Sequence, residues 1–178
     1  MAGKKPLNGD GVSMRALPEG YVVHLLGGWD AELSPLLNEL SAERRSVRRA
    51  APGQWFLVGD EPLSRAEFHA LEQRLAPHAS CVDQSHGRVR ILVSGPRVER
   101  ALSAFTGADL ALAVFPVGTS TTSLFGHIAA HVTRVSDTAF ELMLLRGFAE
   151  SLWEYFAGTW RVDSLPPAWP AKRSGAER

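Results

Sequence analysis

Two histidines four positions apart, His127 and His131, form the pair in this chain best spaced for chemistry. On a helix that interval puts both imidazoles on one face, where they could ligate a metal. The neighbouring Ile128, Val132 and Thr133 favour a strand instead, where an even interval also shares a face but with the rings farther apart. No third ligand stands nearby, so the two are expected to be hydrogen-bonded surface or interface histidines, and no metal ligand is assigned. Ser85-His86 has the residue types of a nucleophile and its base, but adjacent strand residues point to opposite faces. A turn or strand-end hydrogen bond is expected there. Gly27-Gly28 and Gly107 lack the spacing of a dinucleotide fingerprint or a phosphate loop. The reading assigns no catalytic, cofactor-binding or metal-ligating residue to the chain.

Three further groups draw attention. Cys81 is the single cysteine, which excludes an intramolecular disulfide and a multi-cysteine zinc site; a buried, inert thiol is expected. Arg44, Arg45, Arg48 and Arg49 form a basic cluster without aromatic neighbours to stack on bases. A solvated helix face is the first reading of it, an interface with an acidic partner the second, and RNA binding a distant third. Trp153, Trp160 and Trp169 lie close together late in the chain. Trp153 suits a core, whereas Trp160 and Trp169, in a polar segment rich in proline, are expected to anchor on a partner protein.

The elements that must position these residues belong to an ordinary soluble domain. The 178 residues are 45% apolar and 21% charged, with nineteen basic residues balancing nineteen acidic ones. That length suits one domain, and the balance favours neither nucleic acid nor an anionic membrane. The N-terminus is basic but has no apolar run behind it, so it does not read as a signal peptide, and no stretch approaches the ~20 apolar residues of a membrane span. A cytoplasmic protein is expected.

Residues 1–20, rich in glycine, proline and charge, are expected to form a mobile or partner-held arm. Residues 21–158 should hold the folded domain. Tyr21 to Leu26 reads as a strand closed by Gly27-Gly28, and Leu33 to Leu40 as a helix with leucines at i, i+3, i+4 and i+7. Gln54 to Gly59 is a short apolar strand. Ser64 with Glu67 forms a capping box ahead of a helix carrying Phe68, Leu71 and Leu75. Val89, Ile91 and Val93 alternate with Arg88, Arg90 and Leu92 along the next strand, which turns at Gly95-Pro96 into a helix burying Val98, Leu102 and Phe105. A hairpin interrupted at Gly126-His127 follows, then a strand with Phe140, Leu142 and Leu144 on one face, then a helical stripe of Phe148, Leu152, Tyr155 and Phe156. Residues 159–178, with Pro166-Pro167 and Trp169-Pro170, should be an extended C-terminal tail. Strand–helix units recurring three times predict an α+β fold, antiparallel sheets with helices packed on one face, ferredoxin-like in parts.

Several ordered motifs carry a resemblance. Pro52-Gly53-Gln54-Trp55-Phe56-Leu57-Val58-Gly59, Ser85-His86, Ser94-Gly95-Pro96, Gly107-Ala108-Asp109, Phe115-Pro116-Val117-Gly118 and the helix Leu152 to Phe156 follow one another over residues 52–157. In this order they resemble the aminomethyltransferase (T-protein) fold, and most closely the gamma subunit family of heterotetrameric sarcosine oxidase. The T-protein proteins that act on folate-bound carbon carry an acidic residue in the strand after the central glycine. Residues 126–135 here contain no carboxylate, so the group that would stabilise a developing cation is missing.

The resemblance therefore implies a non-catalytic accessory subunit. Its complex would demethylate sarcosine oxidatively and pass the one-carbon unit to tetrahydrofolate. FAD, FMN, NAD and tetrahydrofolate would sit on partner subunits and none on this chain. The partners implied are larger flavin- and folate-binding subunits and a small subunit, with no nucleic acid and no membrane. Two alternatives stay open at this point: the small subunit of a related N-methyl amino acid dehydrogenase, such as the N-methylglutamate enzyme, and a diverged stand-alone folate-dependent aminomethyltransferase.

Overall fold

Two short N-terminal strands, β1 (Leu7–Gly9) and β2 (Val12–Ala16), precede the first complete unit of the chain. That unit runs β3 (Tyr21–Gly27), α1 (Leu33–Ala42), β4 (Ser46–Ala51), β5 (Gln54–Gly59), α2 (Arg65–Leu75) and β6 (Ala79–Asp83). Its four strands pair antiparallel in the order β4-β5-β3-β6, the ferredoxin-like arrangement. The second unit runs β7 (Arg88–Ser94), α3 (Val98–Ser103), β8 (Ser120–Phe125), β9 (Ile128–Ser136), β10 (Ala139–Leu145), a 3-10 turn at Arg146–Phe148 and α4 (Ala149–Trp160). Its sheet has the order β1-β2-β7-β10-β9-β8. This computed structural model describes residues 7–9, 11–28, 33–42 and 45–160.

Side-chain alternation decides how the layers stack. In the first sheet Tyr21, Val23, Leu25 and Leu57 face outward onto Leu33, Leu37 and Leu40 of α1 and Leu71 and Leu75 of α2. The opposite face presents Val22, Phe56 and Val58, which meet Met143 of β10. In the second sheet Val89, Ile91, Val93, Phe140, Leu142 and Leu144 face α3 and α4, burying Val98, Leu102, Leu152 and Phe156. The molecule is thus four layers, helices–sheet–sheet–helices, with an apolar core outside each sheet and a third contact between them. Strands with period-2 alternation require this, since each carries one set of side chains to each face.

The local signals act as the sequence predicts. The Ser64 hydroxyl accepts from the Glu67 amide at 3.3 Å while the Glu67 carboxylate accepts from the Ser64 amide at 2.7 Å, closing the capping box of α2. Gly126 turns the β8–β9 hairpin at φ 62°, a conformation that disfavours a side chain. Arg134 of β9, fully buried, stacks its guanidinium 4.3 Å from the Phe140 ring centroid. It donates to the Asp137 carbonyl at 2.7 Å, to Glu99 at 3.0 Å and to the Leu110 carbonyl, and so ties the long loop before β8 to the sheet.

Three expectations need correction. Residues 12–16 are no arm: β2 pairs with β7, Ser13 opposite Ser94 and Met14 opposite Val93, and Val12 and Met14 are buried in the main core. Strand β2 stands where the closing strand of a ferredoxin-like unit stands, so the N-terminal segment completes the second sheet. Trp160 is no partner anchor: α4 extends to it, it is 6% exposed, and its ring stacks on Phe156 with centroids 4.9 Å apart. Arg48 and Arg49 lie on strand β4 and not on a helix face. Arg44, Trp169 and the tail from residue 161 lie outside the described residues.

Candidate functional site

Polar side chains concentrate between the two sheets. Arg48 of β4 reaches across to Glu141 of β10 in a bidentate pair, Nη1 to Oε1 at 2.7 Å and Nη2 to Oε2 at 3.1 Å. Both side chains are almost fully enclosed, at 5% and 7% exposure. Arg90 of β7 adds a second guanidinium 3.7 Å from Glu141 Oε1 and also pairs with Asp60. Paired and hydrogen-bonded charges can be buried in this way, whereas lone ones cannot. The arrangement joins sheet to sheet. Ser120 Oγ of β8, donating to the Arg49 carbonyl of β4 at 3.1 Å, adds a further cross-link between the sheets.

Beside this layer lies a cleft of about 620 Å³. His24, Gln54 and Phe56 line it from the first sheet, and Arg88, His127 and His131 from the second. The Arg88 guanidinium sits 4.5 Å above the Phe56 ring centroid, while its Nε donates to Gln84 Oε1. Burial first, then the charges of Arg48 and Arg88, push His131 down to a pKa of about 4, so its ring is neutral at physiological pH. His131 Nδ1 lies 3.2 Å from Thr122 Oγ1, and its buried Nε2 meets no partner among the described residues. Burial also lowers the pKa of His24, opposed by its hydrogen bond with Gln54 and reinforced by Arg88.

The tempting residues of the sequence therefore separate. His127 and His131 do share the cleft, with His127 exposed at the hairpin tip and His131 buried on β9. Among the described residues no three His, Cys, Asp or Glu side chains converge as a metal site. Ser85 lies in the turn between β6 and β7, where its amide and hydroxyl both bond Asp83, and His86 offers its carbonyl to Arg146 Nε at 2.7 Å. That turn hydrogen bonding is the role expected of Ser85. Cys81, half-buried under the helices of the first sheet, has its thiol pushed up to about 11 by burial and by Glu72, which keeps it protonated. The Arg48–Glu141–Arg90 cluster went unrecognised in the sequence. Its one trace there is the placement of Arg90 and Glu141 out of phase with Ile91 and Leu142.

These features define a class: a double ferredoxin-like α+β domain whose buried ionisable groups join its two halves. A family model described as the sarcosine oxidase, gamma subunit family matches residues 21–160, and the chain belongs to that family. The match begins well before the motifs at 52–157 and takes in the whole of the first sheet and four of the six strands of the second. The fold is similar to a chain of the heterotetrameric sarcosine oxidase from Corynebacterium sp. U-96 in complex with pyrrole 2-carboxylate, with a TM-score of 0.76, 16% identity and 86% of each chain covered. It is also similar to the ligand-free regulatory subunit of aspartate kinase from Thermus thermophilus, with a TM-score of 0.50 and 13% identity, covering 85% of this chain and 97% of that one. At these identities the two structures speak to the fold alone. No curated protein matches the chain by sequence. Among the described residues no helix is long and apolar enough to cross a membrane.

Proposed function

We propose that this chain is the gamma subunit of a heterotetrameric sarcosine oxidase and that it contributes assembly and not chemistry. Family membership over residues 21–160 carries the reading. The use of its polar groups supports it. The buried carboxylate Glu141 is clamped by two guanidiniums, the imidazole of His131 is held neutral, and the Cys81 thiol is held protonated. Glu141 is tied up in ion pairs, His131 is made a weak base by its burial and Cys81 stays a thiol, so none of the three is activated for chemistry.

In this reading the complex works in the cytoplasm and demethylates sarcosine oxidatively. FAD, FMN, NAD and tetrahydrofolate belong to the larger subunits. The cleft on this chain does not fit a dinucleotide: its lining is mostly strand residues and includes three histidines, His24, His127 and His131, with no glycine-rich turn leading into a helix N-terminus. The subunit completes the complex, stabilising it and walling an internal cavity for the one-carbon intermediate.

The test is coexpression of the candidate large and small subunits with and without this chain. The complex should form with all four chains, and its yield or stability should fall when this one is omitted. The chain alone should show neither flavin absorbance nor sarcosine turnover, with or without tetrahydrofolate. Turnover by the isolated chain would overturn the reading.

A further inference from the structure

We propose that the cleft between the sheets seats a segment of a partner subunit presenting a carboxylate beside an apolar side chain. The inference rests on the reading of the chain as a subunit and names the chemistry of one contact. Its first support is a contrast among arginines. Arg48, Arg90 and Arg134, all buried, pair respectively with Glu141, Asp60 and Glu99. Arg88, half-buried in the cleft, contacts Gln84 and the Phe56 ring and has no carboxylate partner among the described residues. No Asp or Glu lines the cleft at all. A partly desolvated guanidinium held over an aromatic face keeps its planar fork available for a carboxylate.

The second support is the rim. Leu124, Leu145 and Phe148 border the same cleft and are 56%, 50% and 53% exposed. Large apolar side chains gathered around a concave site and left half in water mark an interaction surface. A free small carboxylate inside the cleft would engage Arg88 but leave this rim uncovered. A segment of a partner covers both. The third support is His131 Nε2 on the cleft wall, buried and without a hydrogen-bond partner among the described residues.

The test coexpresses the full chain with its partner subunits and measures co-purification and exchange of the wild type, Arg88→Glu, Arg88→Gln and Leu124→Ser/Phe148→Ser. Each variant is first checked by circular dichroism and thermal melting. Arg88→Glu should weaken assembly at least ~10-fold, the scale of an interface hot spot, with Arg88→Gln and the rim variant showing smaller losses. Hydrogen exchange on the wild-type complex, which needs no variant to fold, should show the hairpin 122–131 and residues 145–148 protected on assembly. Variants that fold and assemble like the wild type, or a hairpin that stays unprotected in the complex, would overturn the proposal while leaving the subunit reading intact. Benzoate that binds the free chain through Arg88 and stays bound in the complex would also overturn it, in favour of a small-carboxylate site. Failure of the wild-type chain to assemble at all would instead defeat the subunit reading itself.

Discussion

Replacing Glu141 with leucine leaves two buried guanidiniums without the carboxylate that lies between them. Arg48 would lose both of its Glu141 contacts, at 2.7 and 3.1 Å, and keep only the Nε bond to Ser46 Oγ at 2.9 Å. Arg90 would keep Asp60, an exposed carboxylate, and the Gly59 carbonyl. Breaking a buried pair from one side costs about 3–5 kcal/mol, because the surviving charge stays desolvated. Arg90's remaining partners place Glu141→Leu near the lower end, at about 3 kcal/mol. For a chain of this size that lowers the melting temperature by roughly 6–12 °C. Arg48→Met should cost a similar amount. The double variant Arg48→Met/Glu141→Leu should be much less unstable than the sum, since two apolar side chains fill the same space and Arg90 retains Asp60. Urea denaturation of the wild type and three variants gives the coupling energy directly. A cost below about 1 kcal/mol for Glu141→Leu, or additive losses in the double variant, would refute the claim that this pair joins the sheets.

Removing residues 1–17 should destabilise the chain by about 3–6 kcal/mol on the scale of burying two large apolar side chains, because Val12 and Met14 are 4% and 0% exposed; a chemical melt unchanged by the deletion would return this segment to an arm. Trp160→Ala should cost about 3–5 kcal/mol as a core truncation and leave the isolated chain less stable; an unchanged melt with weakened assembly would restore Trp160 as a partner anchor. His131 makes stability depend on pH: unfolded it takes up its proton near 6.5, folded only near 4. The unfolded chain therefore binds more protons between those values, so this contribution is complete above pH 6.5, is lost as pH falls towards 4, and then levels off. His131→Leu should flatten that part of the wild-type curve, and parallel curves for the two proteins would show that the imbalance lies elsewhere.

Features set by neighbours along the chain could be read without a structure. The Ser64–Glu67 capping box, the strand Val89–Ile91–Val93 and the stripe of Leu152 and Phe156 each depend on residues within a turn or two of one another. Their periods allow only one element type. The ordered motifs between residues 52 and 157 were enough to mark the family resemblance, because strand–helix units in a fixed sequence leave few topologies. The turn hydrogen bonding of Ser85 was legible too, although Ser85 and His86 lie in the turn itself and not on the extended strand from which a dyad was discounted.

Contacts between distant residues were not legible. Arg48 looked like one member of a solvated basic helix because it stands in sequence with Arg44, Arg45 and Arg49; its partner Glu141 is 93 positions away and meets it only when the two sheets stack. The segment 12–16 looked like an arm because one short polar-apolar alternation between glycines is too weak to predict pairing. It became a strand because the exposed edge of β7 offered unpaired amides and carbonyls, and an apolar face to cover. Trp160 was read from its proline-rich surroundings, yet a further turn of α4 brought it onto Phe105 and Phe156. The amino-acid sequence by itself determined the helices, the strands β3, β5, β7 and β10, the hairpin between the last two, and the family resemblance. Only the tertiary structure decided which charges are neutralised and which edge is closed, and it alone left Arg88 facing an open cleft. Those outcomes depend on burial and on pairing between segments far apart in the chain, and a charge or an edge shows its partner only once the layers have packed.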